Sequence, residues 1–124
     1  FQDFYNDNLL RLLSSDYSDP KKAAALERFT RVSEQYFPLF EQVLNGQRPE
    51  LNVRDMTTRW GVCAPGKRRI TLNLRLAARP QEQVEYVVLH EYCHFVHPNH
   101  QAEFWALMTR LMPDWKQRRK ALRE

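Results

Sequence analysis

Four residues in one short stretch have the types and spacing of a metal site. His90, Glu91 and His94 form the pattern His-Glu-x-x-His, and His100 follows. On a helix, residues four apart lie about 40° apart around the axis and roughly 6 Å apart along it, so both imidazoles face one point. A zinc ion binds such nitrogens at about 2.0–2.1 Å. Three histidines leave one position for a water whose pKa the metal lowers to about 7, and Glu91 can accept its proton.

The residues around this pattern favour a metal site over a packed core histidine. The stretch from Val84 to Val96 is apolar almost all round, and Glu85 and Glu91 are its acidic residues. Burying a carboxylate without a partner costs several kcal/mol, and a water bound to a metal supplies that partner. A histidine satisfied within the core explains one of these residues and not three. The pattern therefore predicts a Zn²⁺ site with Glu91 as the catalytic base.

The third ligand is one of two histidines downstream of the pattern. His97 lies three residues after His94 and precedes Pro98, which displaces it from helical geometry. Pro98 and Asn99 break the helix, and beyond the break the chain turns back. His100 then approaches the metal from a different direction, as tetrahedral coordination requires. We therefore predict His100 as the ligand and His97 as an outer or surface group.

The composition is typical of one folded domain. A chain of 124 residues that is 43% hydrophobic and 12% aromatic has room for one core and none for a second. No apolar run reaches membrane-spanning length, and the first residues do not resemble a signal peptide. We therefore expect a single cytoplasmic domain over residues 1–124. The sequence leaves open that residues 1–18, predicted as a short helix and linker, are the remainder of a longer protein.

The two cysteines are expected to be reduced thiols. Small secreted domains usually carry more cysteines than Cys63 and Cys93. On a helical wheel Cys93 points about 80° away from the direction that His90 and His94 share, which favours a packed thiol over a ligand. A contact between Cys63 and Cys93 stays open.

The first half of the chain contains elements expected to support the metal helix. Asp19-Pro20 is typical of a helix start, Pro38 is expected to divide or kink that helix, and Asn45-Gly46 ends it. A strand is predicted from Leu51 to Trp60. A second strand follows the alternation Ile70, Leu72, Leu74, Leu76.

The turn and the remaining helices follow from the proline positions. Pro65-Gly66 predicts a hairpin turn between the strands, with Arg59, Arg68 and Arg69 at its tip or solvent side. Arg79-Pro80 begins the metal-binding helix. An apolar stripe from Phe104 to Met112 predicts a further helix, and Pro113-Asp114 begins a last short one.

Several motifs in a fixed order resemble the YgjP-like family of zinc metallopeptidases, over a stretch from about Pro49 to Leu122. The matching residues are Arg59-Trp60-Gly61-Val62-Cys63, Ile70-Thr71-Leu72-Asn73, His90 to His94, Asn99-His100, Phe104-Trp105 and Leu111 to Asp114. The chain departs from the family at Val62, where serine is frequent, and at Tyr92, where leucine or alanine is frequent.

The resemblance implies an α+β, zincin-like fold in which a small sheet lies above the metal helix. It implies His90, His94 and His100 as zinc ligands and Glu91 as the catalytic acid/base. An edge strand would hold an extended peptide or unfolded protein substrate through main-chain pairing, with little side-chain selectivity. The group that stabilises the oxyanion stays open among His97, Tyr92 and an arginine of the hairpin.

Two other functions are consistent with the same residues. One is a DNA-associated protease similar to the WLM and SprT-like proteins, which cleave protein bound to DNA. The net charge of +4 permits it, and the cations that would contact phosphates are Lys116, Arg118, Arg119, Lys120 and Arg123. A solvated helix end, where cations also complement the helix dipole, is the favoured explanation of these residues, and the hairpin motifs point away from WLM. The other is a non-catalytic binding module stabilised by zinc, which has no need of Glu91. The sequence carries no signal for a particular oligomeric state.

Overall fold

Helices and a small sheet alternate along the chain in the computed structural model, which describes residues 19–123. The helix predicted within residues 1–18 lies outside this range. The α+β class is confirmed. The helices are α1 (Pro20–Tyr36), α2 (Gln81–Cys93), α3 (Ala102–Leu111) and α4 (Trp115–Arg123), and the strands are β1 (Glu50–Arg54), β2 (Gly61–Ala64) and β3 (Arg69–Asn73). Short 3-10 turns cover Phe37–Phe40, Pro65–Lys67 and Leu74–Ala78.

Helix α1 begins where the sequence predicts and stops just before Pro38, the residue expected to divide or kink it. The Asp19 side chain accepts a hydrogen bond from the Lys21 amide at 3.0 Å, and Pro20 occupies the first turn. The α-helix stops at Tyr36, and Pro38 lies in the 3-10 turn that follows, because its ring excludes continued α-helical hydrogen bonding. The segment then ends at Asn45 and Gly46, whose φ angles are 53° and 73°.

The sheet has the order β1-β3-β2 and is mixed. Strands β2 and β3 are antiparallel and form a hairpin around the predicted turn at Pro65–Lys67, but its first strand is Gly61–Ala64 and not the predicted Leu51–Trp60. Strands β1 and β3 are parallel, with Leu51 opposite Ile70. Because β3 is central, β1 and β2 are the two edges. Helix α1 packs against β1 and α2, and α2 packs against β2.

The predicted strand boundaries were wrong in two places, and Asn73 explains both. The strand expected from Leu51 to Trp60 ends at Arg54, and the next strand begins at Gly61. The buried Asn73 amide donates to the carbonyls of Met56 and Arg59 at 2.8 Å each, which holds the intervening residues as a loop.

The alternation through Leu74 and Leu76 is likewise not strand. The side-chain oxygen of Asn73 accepts a hydrogen bond from the Arg75 amide at 3.0 Å and caps the turn Leu74–Ala78. The leucines of that turn therefore reach the core from a 3-10 conformation. Such a cap depends on a tertiary contact that alternation does not reveal.

The core surrounds helix α2, which contacts α1, the sheet, α3 and α4. A large fully buried side chain contributes roughly 1.5–3 kcal/mol relative to an exposed one. The fully buried members include Leu26, Phe29, Phe40, Leu51, Ile70, Leu72, Leu89, Tyr92, Phe104 and Met108. No helix among the described residues is long and apolar enough to cross a bilayer.

Two arginines connect helix α4 to helix α2 through an ion pair and main-chain hydrogen bonds. Arg118 pairs with Glu85 at 3.0 Å and with Asp114 at 3.1 Å. Arg79 lies just before α2 and donates to the carbonyls of Ala121 and Leu122 at 3.0 and 3.2 Å. These carbonyls belong to the last turn of α4, where a cation also complements the helix dipole. Arg118, one of the cations that the sequence offered for phosphate contacts, therefore has acidic partners within the fold.

Candidate active site

Helix α2 and the loop after it bring His90, His94 and His100 together. His90 lies in the last turn of α2, His94 caps its C-terminus, and His100 follows in the loop before α3. Their ring centroids are 4.6 to 5.0 Å apart. One nitrogen from each ring lies within 4.8 Å of the others, close enough for one ion to contact all three. Three imidazoles are a donor set that suits zinc, so the residues fit the metal that the pattern predicts.

His97 lies outside this group. Its side chain approaches Glu103 at 3.9 Å, whereas its main-chain carbonyl oxygen lies 3.2 Å from Nδ1 of His94. A carbonyl oxygen only accepts hydrogen bonds, so this contact selects the His94 tautomer protonated on Nδ1. The Nε2 lone pair of His94 is then free to bind a metal. The structure thus groups His100, and not His97, with the two histidines of the motif.

Aromatic residues of helix α3 hold the three imidazoles in place. The Phe104 ring lies 4.7 to 5.0 Å from all three. Trp105 stacks on His100 at 5.6 Å and on Trp115 at 4.5 Å. The exposed His100 ring is therefore positioned by a stack that continues into α4.

Burial keeps two of these histidines neutral. Partial burial lowers the pKa of His94, and the positive form of His90 nearby lowers it further. Partial burial also lowers the pKa of His100, and both other histidines add to this effect. At neutral pH these imidazoles are uncharged, which is the form that binds a metal.

Glu91 lies beside the histidines under strand β2. Its side chain is 6% exposed, and its Oε2 lies 3.2 Å from Nδ1 of His90. A Cβ at Gly61 would lie 3.0 Å from Oε2 of Glu91 and 3.1 Å from a methyl group of Val87. Glycine at position 61 therefore allows the strand to approach the helix at the predicted base. This contact explains the glycine of the Arg-Trp-Gly-x-Cys motif.

The histidines and Glu91 open into a cleft of about 580 Å³. Strand β2 forms one wall, and one of its edges has no strand partner among residues 19–123. An extended peptide pairs its main chain with such an edge. The lining residues are Arg59, Trp60, Gly61, Val62, Cys63, Pro65, Tyr86, Val87, His90, Glu91, His94, Pro98, His100, Arg119, Leu122 and Arg123. Val62, a departure from the family pattern, is therefore in the cleft.

Most of the groups considered for stabilising an oxyanion do not line the cleft. The Tyr92 ring is fully buried on the side of α1, and the His97 side chain is outside the cleft lining. Of the hairpin arginines, Arg68 donates to Gln47 and Arg69 pairs with a β1 carboxylate. Arg59 is the member of the set that lines the cleft.

Sequence reasoning did not place three residues that line the cleft. Tyr86 precedes His90 by four residues, so the helical spacing that paired His90 with His94 also indicates Tyr86. Arg119 and Arg123 were grouped with the other cations of the last helix. Their own spacing of four puts them on one face of α4, but nothing in the sequence says which face meets the cleft.

Both cysteines are free thiols, and neither belongs to the histidine cluster. Cys93 is fully buried, and its sulfur lies 3.5 Å from that of Met108, as expected for a packed thiol. Cys63 lines the cleft, where burial raises its pKa to about 12 and the Glu91 carboxylate adds to the rise. It therefore remains protonated, and a protonated thiol is neither a good nucleophile nor a good ligand.

Comparison with known protein families agrees with this arrangement. A family model described as the YgjP-like metallopeptidase domain matches residues 5–124. A search of curated proteins finds no matching relative. The match extends beyond the metal-binding helix to the hairpin that supplies Gly61 and to helix α4. On that match, together with the histidine cluster that can hold a metal, the chain belongs to the YgjP-like metallopeptidase family.

Proposed function

We propose that this protein is a zinc-dependent peptidase that hydrolyses peptide bonds in extended or unfolded protein segments. The observation that carries the proposal is the grouping of three histidines, whose ligand atoms lie within 4.8 Å, beside a buried glutamate in an open cleft. A structural zinc site usually has four protein ligands and no open position.

His90, His94 and His100 would hold the ion. A zinc ion bound there supplies a water of lowered pKa and polarises the scissile carbonyl. The main-chain carbonyl of His97 keeps the proton of His94 on Nδ1, and helix α3 holds His100 at the required position. These contacts fix ligand orientation before the substrate arrives.

Glu91 would act as the general base and then as the general acid. It takes a proton from the attacking water as the oxygen adds to the carbonyl carbon. It then delivers that proton to the amine nitrogen as the carbon–nitrogen bond breaks. The close approach of Gly61 limits where the carboxylate can lie, so its position relative to the cleft is well defined.

Strand β2 would align the substrate. An extended segment that pairs with its free edge presents successive peptide bonds to the histidines and to Glu91, using main-chain hydrogen bonds that do not depend on side-chain identity. This mode suits unfolded protein, because a folded substrate offers few unpaired main-chain groups.

The two other functions receive less support. Arg118, one of the cations expected to contact DNA, pairs with Glu85 and Asp114. A zinc-stabilised binding module has no need of the buried Glu91 beside the histidines. The cytoplasmic location stays a prediction.

The deciding experiment measures metal content and proteolysis together. Purified protein is analysed for bound metals by mass spectrometry, and its hydrolysis of casein is followed with and without DNA. We expect about one zinc per chain, activity that a chelator removes and zinc restores, and no need for DNA. Activity that appears only with DNA would favour the DNA-associated protease, and bound zinc without hydrolysis of any peptide would favour the binding module.

A further inference from the structure

Three arginines of the cleft lack an acidic partner, whereas half of the other arginines among residues 19–123 have one. Arg31, Arg48, Arg69, Arg75 and Arg118 each form an ion pair with a carboxylate at 2.7 to 3.1 Å. Within residues 19–123, Arg59, Arg119 and Arg123 form no such pair, although all three line the cleft. Their charges are therefore available to a ligand that enters it.

Helix α4 directs two of these cations towards the metal-binding residues. The Arg119 guanidinium lies 5.4 Å from the centre of the Trp105 ring, the same ring that stacks on His100. Burial raises the pKa of the Tyr86 hydroxyl, and the positive charges of Arg119 and Arg123 oppose that rise. Both arginines line the same cleft as Tyr86, which lies one helical turn from His90.

Arg79, which does not line the cleft, holds helix α4 and its arginines in position. Arg79 donates to the carbonyls of Ala121 and Leu122, immediately before Arg123. The same guanidinium lies 5.6 Å from the Trp60 ring, which lines the cleft from the opposite element. The last turn of α4 is therefore tied to the start of α2 and to the residue before β2. The position of Arg123, in this last turn, is therefore stabilised by contacts of the neighbouring main chain.

We propose that Arg119 and Arg123, together with Arg59 from the β2 side, bind a carboxylate of the peptide substrate. The preferred substrates are then segments with an aspartate, a glutamate or the chain's own C-terminus at a set distance from the scissile bond. This inference rests on the proposed peptidase function. A guanidinium binds a carboxylate through two parallel hydrogen bonds, and a partly enclosed cleft strengthens that attraction relative to open water.

The surroundings favour a peptide carboxylate over a nucleic-acid phosphate. The arginines share the cleft with the apolar side chains of Trp60, Val87 and Leu122 and with the Glu91 carboxylate. Binding to a nucleic-acid backbone gains from many exposed cations acting together. Here the cleft cations are interspersed with apolar groups, an arrangement that suits one acidic group within an otherwise uncharged segment.

The test uses binding to an inactive protein, so that it does not depend on turnover. Zinc-loaded Glu91→Gln protein is titrated with fluorescent peptides that share one sequence. The peptides carry either glutamate or glutamine at a varied position, and each has either a free or an amidated C-terminus. We expect at least one carboxylate to tighten binding about tenfold, which corresponds to about 1.4 kcal/mol. Comparing the four peptide types shows whether a side chain or the C-terminus supplies it.

Charge reversal identifies the residues responsible. Arg123→Glu, combined with Glu91→Gln, should remove the advantage of the acidic peptide, and Arg119→Gln should reduce it. The matched control is Lys120→Glu, which makes the same charge change at an exposed residue of the same helix that does not line the cleft. This control should keep the tenfold preference.

Three results would overturn the inference. The first is equal binding of acidic and amide peptides. The second is an acidic preference that survives Arg123→Glu, since the carboxylate would then be binding the metal. The third is a single-stranded oligonucleotide that binds more tightly than any peptide and depends on the same arginines. An Arg123-dependent preference in a protein that cleaves no peptide would instead refute the proposed function while keeping the carboxylate site.

Discussion

Polar groups on the two sides of helix α2 differ in where their partners come from. On the side facing α1, the Tyr92 hydroxyl lies 2.6 Å from the Ser33 hydroxyl, and the Tyr92 ring packs on Phe40 at 5.2 Å. On the side facing β2 and α4, His90 and Glu91 open into the cleft. Polar groups on the first side bond to each other within the core, whereas those on the second side are accessible to a ligand in the cleft.

This difference shows how one apolar helix supports both stability and chemistry. A buried polar group costs free energy unless it is hydrogen-bonded, so a fold retains it either with an internal partner or for a ligand. The Ser33–Tyr92 pair belongs to the first kind. The buried Glu91, which lines the cleft beside the histidines, belongs to the second. Changes on the α1 side should therefore affect stability, and changes on the cleft side should affect function.

The largest effect is expected from Glu91→Gln. The amide keeps the shape of the side chain but cannot accept a proton, so peptide hydrolysis should fall by about 10²–10⁴-fold while zinc stays bound. Casein hydrolysis and metal content, measured on the same sample, check this. Metal lost in step with activity would make Glu91 a ligand and contradict the assigned role.

The next largest effect is expected on zinc retention, which should differ between variants of His97 and His100. His100→Ala should lose zinc during dialysis against a weak chelator, because it removes a predicted ligand. His97→Ala should retain zinc, because the group that contacts His94 is the main-chain carbonyl of residue 97, which alanine also has. Zinc loss confined to the His97 variant would reverse the assignment.

Gly61→Ala tests the contact between strand β2 and Glu91, the proposed general base. The added methyl group would meet Glu91 at 3.0 Å, so the carboxylate or the strand must shift. Displacing a catalytic group by about 1 Å lowers turnover by roughly 10²-fold. The rate should fall with zinc content unchanged, and the matched control Gly66→Ala, which meets nothing within 4 Å, should retain activity. Equal activity of the two variants would show that β2 does not constrain the base.

On the closed side of α2, Tyr92→Phe should affect stability alone. Removing the hydroxyl breaks the buried hydrogen bond with Ser33, which costs about 1 kcal/mol in the free energy of unfolding. Urea unfolding measures this cost, and casein hydrolysis should match that of the parent. A Tyr92→Phe protein of normal stability and reduced activity would mean that Tyr92 acts on the cleft after all.

The smallest effect concerns pH and the metal-free protein. The pKa values of His94 and His100 lie below the usual 6.5, so the unfolded chain binds protons more readily than the folded one. The stability that this difference provides is complete above about pH 6.5 and is lost as the pH falls further. Melting temperatures of chelator-treated protein between about pH 8 and pH 5.5 test this. A His94→Gln/His100→Gln variant should show a weaker dependence, and an unchanged one would assign it to other groups.

Sequence spacing was sufficient to predict a feature wherever all the residues that form it lie in one helix or one turn. His90 and His94 share a face because four residues nearly complete a helical turn, and Asp19 caps α1 through the amide of Lys21. The hairpin turn at Pro65 followed from turn chemistry alone. The assignment of zinc ligands stays a prediction, although the structure brings the three expected histidines together.

The ends of the strands could not be derived in this way. The alternation through Leu74 and Leu76 satisfied a strand pattern, but β3 ends at Asn73, whose side chain bonds to Met56, a loop residue 17 positions earlier in the sequence. The parallel pairing of β1 with β3 also joins residues distant in sequence. Such boundaries depend on the competition between local preference and long-range hydrogen bonds.

The sequence by itself therefore determined the residue types for the chemistry and the helix that carries two of them, because both depend on contacts within a single turn or two. The tertiary structure alone decided that Gly61 lies against Glu91, and that Arg119 and Arg123 face the cleft while Arg118 pairs with Glu85. Neighbouring cations on one helix look alike in sequence. Their roles separate only when packing against other elements gives each side chain a different set of neighbours.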